Sequence, residues 1–290
     1  MRRHTMTQGI GPMLREWRKR RNLSQLALAL QADTSSRHLS FIETGRAVPS
    51  RELVLRLADQ LNVPIRQRNS LLMAAGYAPA YEETPISETH MDRANEAIDR
   101  LLNGHEPYPA LVFDSISDLR RANRSALALL DGIADELLVP PINIMRVALH
   151  PEGLAPRILN FAVWRGHLLG RLRREAVLTN NERLATLYDE VSSYRYAKSV
   201  FDPAREMEPD MPDGQSIAIP LRIRALGSEL SLFSALTVFA APVDITLSEL
   251  TIETFYPADA HTATVLHSHL QLAGADEPAP DQLVALRAAP

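Results

Sequence analysis

The sequence contains no cysteine, which excludes disulfides, thiolate zinc sites, iron–sulfur clusters and cysteine nucleophiles. Glycine is scarce, with 12 residues in 290. No apolar run approaches the roughly 20 residues that a membrane-spanning helix needs. The N-terminus has no apolar signal-peptide core after Arg2 and Arg3, as a secretory leader would require. These absences predict a cytoplasmic protein that has no membrane partner.

Catalytic motifs are also missing. His267 and His269 stand two residues apart, so on a helix they would point about 200° apart and could not share a metal ion. Asp92, Asp189 and Glu190 have no nucleophile or glycine-rich phosphate loop near them, and no Gly-x-Ser-x-Gly motif occurs. We therefore expect neither an enzyme nor a metal site.

Charge is distributed unevenly along the chain. Residues 1–70 contain 13 Arg or Lys against 5 Asp or Glu, a net charge of +8, whereas the remainder carries −12. A basic segment joined to an acidic one is typical of a polyanion-binding part connected to a part that binds something else. The length of 290 residues agrees with two domains.

The basic N-terminal segment predicts five short helices. Ile10, Leu14 and Trp17 recur at the spacing of one amphipathic helix, with basic residues on the other faces. Ser24 and Ser35 stand where the N-caps of the second and third helices belong. The remaining boundary signals are Gly45 after the third helix, Ser50 before the fourth and Gly76 after the fifth.

The order of these helices and several strings of residues point to one family. Ser24-Gln25, the helix from Ser35 to Ser40 and the string Ile42 to Arg46 resemble the xenobiotic-response-element (Cro/C1-like) helix-turn-helix family. The longer strings Arg37 to Glu43 and Ala74 to Pro79 resemble one branch of it, the MmyB-like transcription regulators. The resemblance implies a DNA-binding domain over residues 1–80.

In such a domain the second helix of the pair lies in the major groove with its N-terminal residues near base edges. Ser36, Arg37 and Ser40 project from the face opposite the inward-facing residues of that helix, and arginine can contact guanine bidentately. The family places Gln25 against a phosphate, and Arg46 follows the helix. Glu43 is interpreted as an ion-pair partner. The DNA-binding candidates are Gln25, Ser35, Ser36, Arg37, His38, Ser40 and Arg46.

The hydrophobic period changes after residue 107. Strands are predicted at 110–113, 119–122, 217–224, 229–240 and 250–256, with Gly227-Ser228 as a hairpin turn, because strict alternation indicates a strand. Helices are predicted near 91–103, 154–174, 181–200 and 259–271. Two strands, a helical middle and three antiparallel strands form the order of a PAS-like domain.

Local strings such as Phe113-Asp114, Arg121 to Asn123 and Phe255 to Asp259 resemble the ligand-binding domain of MmyB-like regulators. The fold class is therefore α+β: an all-α five-helix helix-turn-helix domain, then a PAS-like domain with a five-stranded antiparallel sheet. We expect a linker or brace helix at 81–106, the PAS-like domain at 107–275 and a flexible tail at 276–290.

The resemblance implies ligand sensing by the second domain, and pockets for small molecules are mostly apolar. One reading is a slot for a hydrophobic ligand such as a fatty acid, with Arg146 or Arg165 at its anionic head group; the other is a core stripe. The ligand-binding candidates are Phe113, Arg146, Phe161, Trp164, Arg165, Leu168, Leu172, Tyr188, Val191, Tyr194 and Phe233.

We expect a regulator that binds double-stranded operator DNA as a homodimer and needs no cofactor apart from such a bound apolar molecule. One alternative is a PAS-like domain that holds a flavin or a haem, with His150 or His167 as the haem ligand. The other is a domain that serves only dimerisation and whose pocket is filled by its own side chains.

Overall fold

The computed structural model describes residues 9–200, 219–240 and 242–272. The chain divides into two compact units, which are Met1–Thr84 with Pro242–Ser248 (unit 1) and Pro85–Ala241 with Glu249–Pro290 (unit 2). Within the described residues, no helix is long and apolar enough to cross a membrane. The predicted tail 276–290 and the predicted strand start at Ile217 lie outside the described residues.

Unit 1 begins with five α-helices in the predicted order. They are α1 Ile10–Arg20, α2 Gln25–Gln31, α3 Ser36–Glu43, α4 Arg51–Gln60 and α5 Ile65–Ala74. The hydroxyls of Ser24, Ser35 and Ser50 each accept the backbone N–H three residues later, at 3.0, 3.0 and 3.3 Å. These bonds satisfy N–H groups that have no partner inside the helix, and they confirm the predicted caps.

The turns between these helices use left-handed backbone conformations. Asp33 has φ 50° between α2 and α3. Gly45, which the sequence predicts as the boundary after the third helix, has φ 73°. Gly76, with φ 85°, occupies the same conformation after α5. Glycine adopts this region at no steric cost, so the chain can reverse direction within one or two residues and keep α2, α3 and α4 close together.

Gly11 sets the approach of α1 to α3. A Cβ on this residue would lie 2.5 Å from the carbonyl oxygen of Ile42 and 2.8 Å from that of Glu43, closer than real Cβ contacts. The two helices therefore meet backbone to backbone at the end of α3. Leu14 and Ile42, both fully buried, are part of the apolar core beside this contact.

Unit 2 combines a five-stranded sheet with helices. Its elements are α6 Asp92–Gly104, β1 Ala110–Phe113, β2 Leu119–Ala122, α7 Arg124–Ala128, α8 Ile144–Leu149, α9 Phe161–Thr179, α10 Glu182–Ser192, β3 Leu221–Ala225, β4 Ser228–Val238, β5 Thr251–Pro257 and α12 Ala260–Leu272. One more helix, α11 Ile245–Glu249, lies between β4 and β5 in the chain and begins in unit 1.

The strands of unit 2 form one antiparallel sheet in the order β2-β1-β5-β4-β3. The last strand in sequence, β5, lies at the centre and pairs with β1 through Ile252 opposite Val112 and with β4 through Tyr256 opposite Phe233. We call the face that carries Leu232 and Phe255 the inner face, because both belong to the main hydrophobic cluster with α9 and α10. The architecture is the α+β arrangement that the sequence predicts.

Three predicted helix boundaries and the predicted hairpin turn are wrong. The helix predicted at 154–174 runs from Phe161 to Thr179, because Pro156 lies in a separate 3-10 turn and Asn180 ends the helix with φ 54°. The helix predicted to reach Val200 ends at Ser192.

At the C-terminal end of α10, Ser192 and Ser193 donate their hydroxyls to the carbonyls three residues earlier. These bonds compete with continuation of the helix. The hairpin turn consists of Leu226 and Gly227, at φ 54° and 72°, rather than Gly227 and Ser228. Two consecutive positive φ angles are the conformation that the twist of a two-residue hairpin favours. Strand β3 starts at Leu221, directly after Pro220, which has no N–H to donate to a ladder.

Candidate DNA interface and candidate ligand site

The outer face of α3 exposes the residues that the sequence selects for base contact. Ser36, Arg37 and His38 are exposed and Ser40 is half-buried, whereas Leu39 and Ile42 are fully buried. The buried pair fixes the rotation of the helix, so the polar residues lie together on its outer side. Contact between these side chains and DNA stays a prediction.

Arg37 also contacts its own helix. Its guanidinium carbon lies 5.5 Å from the centre of the Phe41 ring, four residues later on α3. Such a contact contributes about 0.5–1 kcal/mol at an exposed site and restricts the arginine side chain before DNA arrives. Phe41 itself is half-buried.

The buried carboxylate of Glu43 connects three helices of unit 1. Arg18 on α1 donates Nε to Oε1 at 2.6 Å and Nη2 to Oε2 at 2.8 Å, and Gln25 on α2 donates Nε2 to Oε2 at 2.8 Å. The side chains of Arg18 and Glu43 are 11% and 2% exposed, so water screens the pair weakly. The sequence predicts Glu43 as an ion-pair partner, which the structure confirms, but its partner Arg18 lies 25 positions earlier in the chain, where no spacing rule identifies it.

This network also determines the charge state of Glu43. Burial acts to raise its pKa, but the hydrogen bonds from Arg18 and Gln25 and the positive charge of Arg18 outweigh burial, and the pKa lies below its usual value. The hydrogen bond with Glu43 raises the pKa of Arg18, against the opposing effect of burial. An ionised Glu43 holds the start of α2 against the end of α3. An amide nitrogen carries two hydrogens, and the bond to Glu43 uses one of those of Gln25.

In unit 2, the predicted apolar stripe exists and lies in the hydrophobic core. Phe161, Trp164, Leu168 and Leu172 on α9 are 1–5% exposed and join one cluster with the inner face of the sheet. Val191 on α10 belongs to the same cluster, and Tyr188 and Tyr194 pack against it. The structure therefore brings together the candidates on α9 and α10.

Phe233 is the exception among these candidates. It is opposite Tyr256 in the β4–β5 register and stacks on that ring at 5.4 Å. Its strand neighbour Leu232 faces the core, and successive strand residues point to opposite faces. Phe233 is 39% exposed on the outer face, so the structure does not bring it to the α9 stripe.

Arg146 and Arg165, the two predicted head-group arginines, both have protein partners. Arg146 donates Nε and Nη2 to the two carboxylate oxygens of Glu190, each at 2.7 Å, and Tyr194 donates its hydroxyl to Oε1 at 2.8 Å. Arg165 donates Nη2 to the carbonyl of Ser192 at 3.0 Å. An anionic ligand would have to compete with Glu190 for Arg146.

The pKa values around Glu190 agree with this pairing. The hydrogen bond with Glu190 raises the pKa of Arg146, and the hydrogen bond from Arg146 lowers the pKa of Glu190. Burial, followed by the bond to Glu190, raises the pKa of Tyr194. All three groups therefore keep their ordinary charge states near neutral pH.

Unit 2 contains a second polar cluster, between α9 and β5, that the sequence analysis did not predict. Arg171 on α9 lies 3.4 Å from Oε1 of Glu253 on β5, and their side chains are 14% and 6% exposed. The Arg171 guanidinium carbon lies 5.7 Å from the Phe113 ring centre. The spacing of His167, Arg171 and Glu175, four residues apart on α9, is the signal that would have found this polar stripe.

Burial affects the other members of this stripe. Burial, followed by the positive charge of Arg171, lowers the pKa of His167, and burial raises the pKa of Glu175. Leu236, which is opposite Glu253 in the β4–β5 register, is 49% exposed. Directly opposed residues share one face of a sheet, so the inner face is accessible beside the Arg171–Glu253 pair.

The histidines and carboxylates of the described residues do not form a metal site. Across residues 9–200, 219–240 and 242–272, no group of three or more His, Asp or Glu side chains is arranged to hold a metal ion. The His150 ring packs edge-on against Tyr194 at 5.0 Å, and its Nδ1 accepts the backbone N–H of Glu152 at 3.1 Å. The His167 ring lies 5.3 Å from that of Trp164.

Two family models match the chain. The MmyB-like transcription regulator ligand binding domain matches residues 94–268, which is more than half of the chain, and a helix-turn-helix model matches residues 14–67. A search of curated proteins found no match. The helix-turn-helix range contains the outer face of α3 and the Glu43 network, and the larger range contains both polar clusters of unit 2.

The Glu43 network generates a stability prediction. Replacing Glu43 by Gln leaves a buried Arg18 without its full counter-charge, so we expect unit 1 to lose about 3 kcal/mol at pH 7. The chain has two tryptophans, so in a Trp164→Phe background the fluorescence of Trp17 reports urea unfolding of unit 1 alone. Glu16→Gln, which removes an exposed pair with Arg20, is the control and should cost under about 1 kcal/mol.

Glu43→Gln should also change how the stability of unit 1 depends on pH. The folded-state pKa of Glu43 is lowered, so its contribution is present above the unfolded-state value of about 4.3 and disappears as pH falls through the folded value. Wild type should lose more stability than Glu43→Gln over that acid range. Equal losses in both proteins would contradict the assigned role.

Proposed function

We propose that this chain, which belongs to the family of MmyB-like transcription regulators, binds operator DNA as a homodimer under the control of a small amphiphilic ligand in unit 2. The chain is a DNA-binding transcription regulator with a ligand-binding domain. The proposal concerns the residues that contact DNA, the kind of ligand and the effect of the ligand on operator binding.

The observation that carries the DNA half is the outer face of α3. Ser36, Arg37 and His38 extend from a helix whose opposite side is fully buried, and Glu43 anchors the end of that helix to α1 and α2. The net charge of +8 over residues 1–70 favours approach to a polyanion. In the proposed complex Arg37 contacts a base edge, and Gln25 and Arg46 contact phosphates.

Dimerisation is proposed from the size of the DNA-binding unit. One small helical module buries little surface on DNA and supports weak specificity by itself. Regulators of this type reach useful specificity by placing two recognition helices in successive major grooves, one helical turn apart. We therefore expect the operator to contain two related half-sites.

For the ligand, we propose a fatty acid or another amphiphile with an anionic head group. The accessible inner face beside Leu236 offers apolar contact, and Arg171 offers a guanidinium whose bond to Glu253, at 3.4 Å, is longer than the 2.7 Å bonds between Arg146 and Glu190. A carboxylate that approaches Arg171 thus displaces a weaker partner than one that approaches Arg146.

A second candidate is a unit 2 that only dimerises. It is favoured by the α9 stripe, because Phe161, Trp164, Leu168 and Leu172 are 5% exposed or less. Their side chains occupy the core space that a ligand would otherwise fill. In that case the regulator would bind DNA without a ligand, and its activity would depend on its concentration.

The proposed base contact of Arg37 predicts a loss of sequence specificity when this residue is changed. The operator is first selected from a random duplex library with the full-length protein. Arg37→Ala and Arg37→Lys should each weaken operator binding roughly 10- to 100-fold, because both lose a bidentate base contact. Arg37→Lys should keep the affinity for unrelated DNA, since it keeps the charge. Fluorescence anisotropy measures both affinities.

Arg100→Ala, which removes an exposed charge on α6 in unit 2, is the matched control and should leave both affinities unchanged. A base-reading role for Arg37 would be ruled out if Arg37→Lys bound the selected operator as tightly as wild type does.

The proposed ligand binding by unit 2 predicts that the purified protein carries or accepts an amphiphilic acid. Mass spectrometry of an organic extract should find a long-chain carboxylic acid. Dodecanoate at about 100 times its Kd should stabilise the delipidated protein by about 2.7 kcal/mol, which is visible as a higher Tm. Its methyl ester lacks the charge and should stabilise less. An empty extract together with an unchanged Tm would favour the dimerisation-only candidate.

A further inference from the structure

Unit 1 is not continuous in sequence. The chain leaves the sheet of unit 2 after β4, contributes Pro242–Ser248 to unit 1, and returns as β5. The seven residues of this connection fall within the range 94–268 that matches the ligand-binding domain. The contacts of these residues, however, make them part of the DNA-binding unit.

Two hydrogen bonds attach this connection to the segment that follows α5. The backbone N–H of Thr84 donates to Oδ2 of Asp244 at 3.0 Å, and the backbone N–H of Ile245 donates to the carbonyl of Glu82 at 2.8 Å. Glu82 and Asp244 form a parallel β-bridge. The Ile245 side chain is 3% exposed, so the connection also buries an apolar anchor.

The segment that receives the connection is itself fixed to α5. Asn69 donates Nδ2 to the carbonyl of Tyr81 at 2.8 Å, and its Oδ1 accepts the N–H groups of Ala80 and Tyr81 at 2.9 and 3.1 Å. Asn69 is only 7% exposed. Arg66 holds both carboxylate oxygens of Glu83, at 2.8 and 2.5 Å.

These hydrogen bonds make a continuous series from α5 to Asp244, because each member is bonded to the next. A shift of Asp244 must therefore move residues 82–84 or break their hydrogen bonds, and residues 80–83 in turn are bonded to α5.

The other end of the connection leads into the sheet of unit 2. Glu249, the last residue of α11, accepts the hydroxyl of Ser115 at Oε2 at 3.1 Å. Leu250 is 1% exposed and immediately precedes β5, the central strand that carries Glu253 on the inner face. The strand that carries Glu253, the partner of Arg171, is thus joined to α11 by one residue, Leu250.

We propose that the β4–β5 connection is the route by which unit 2 controls unit 1, with Asp244 as the positioning residue that attaches it. A ligand that displaces Glu253 from Arg171 shifts β5, and the shift reaches α5 through Asp244 and residues 80–84. This deepens the proposed function and rests on it for the ligand. The attachment itself depends on neither ligand nor DNA.

The first test measures the attachment of the β4–β5 connection to residues 82–84. It uses hydrogen–deuterium exchange and mass spectrometry on the full-length protein. In Asp244→Ala, peptides covering residues 77–84 should exchange about tenfold faster, because the part-buried hydrogen bond of the Thr84 N–H is lost. Ser248→Ala is the control, since its hydroxyl donates to Ile245 within the connection, at 2.6 Å, and does not reach residues 82–84. It should leave those peptides unchanged.

Asp244 also accepts the N–H of Leu247 at Oδ1, at 3.1 Å, so the alanine variant loses a helix cap as well. Asp244→Asn keeps one acceptor oxygen and serves the same test if the alanine variant does not fold. Its exchange in residues 77–84 should lie between those of wild type and a fully detached segment. Wild-type exchange in residues 77–84 in both variants would overturn the attachment.

The second test measures how strongly the ligand changes the operator affinity of the variant. Asp244→Ala should still bind dodecanoate with the Tm increase of wild type and still bind operator, but dodecanoate should change its operator affinity at least about threefold less than it changes that of wild type. An unreduced response would overturn the proposed route. Failure of the proposed function looks different: dodecanoate then has no effect on the operator affinity of wild type, while the exchange result is unaffected.

Discussion

The DNA-binding unit depends on one buried negative charge. Glu43 ends the recognition helix, and its carboxylate holds Arg18 of α1 and Gln25 of α2 at 2.6–2.8 Å. Gly11 allows α1 to approach the same helix end closely enough for this network to form. A carboxylate buried to this degree is stable only with such partners. The outer face of α3 therefore has a fixed orientation, which base recognition requires.

Unit 2 is organised around two stripes of α9 with different chemistry. Phe161, Trp164 and their apolar neighbours at helical spacing fill the core against the inner face of the sheet. His167, Arg171 and Glu175 follow a second stripe, and Arg171 approaches the buried Glu253 of the central strand. This pair joins α9 to the central strand beside an accessible apolar surface, which is where we propose that the head group of the ligand acts.

The sequence predicts local features well and distant partners poorly. The caps Ser24 and Ser35 and the turn at Gly45 depend on neighbouring residues, so they could be read directly, and alternation revealed most of the strands. The partners Arg18–Glu43, Arg171–Glu253 and Asp244–Thr84 are 25 to 160 residues apart, and no spacing rule identifies them. For the same reason nothing in the local pattern places residues 242–248 in the DNA-binding unit. The choice of Arg146 as a free head-group partner missed Glu190.

The central claim is that ligand occupancy of unit 2 changes operator binding by unit 1. A ligand shifts an equilibrium only by its difference in affinity for the two states. The most direct measurement titrates one delipidated, full-length preparation with labelled operator, without and with saturating dodecanoate, by fluorescence anisotropy. The account predicts a change in operator Kd of about fivefold or more and none with the methyl ester at the same concentration. The same operator Kd in both titrations, with binding of dodecanoate verified by the increase in Tm, would contradict it.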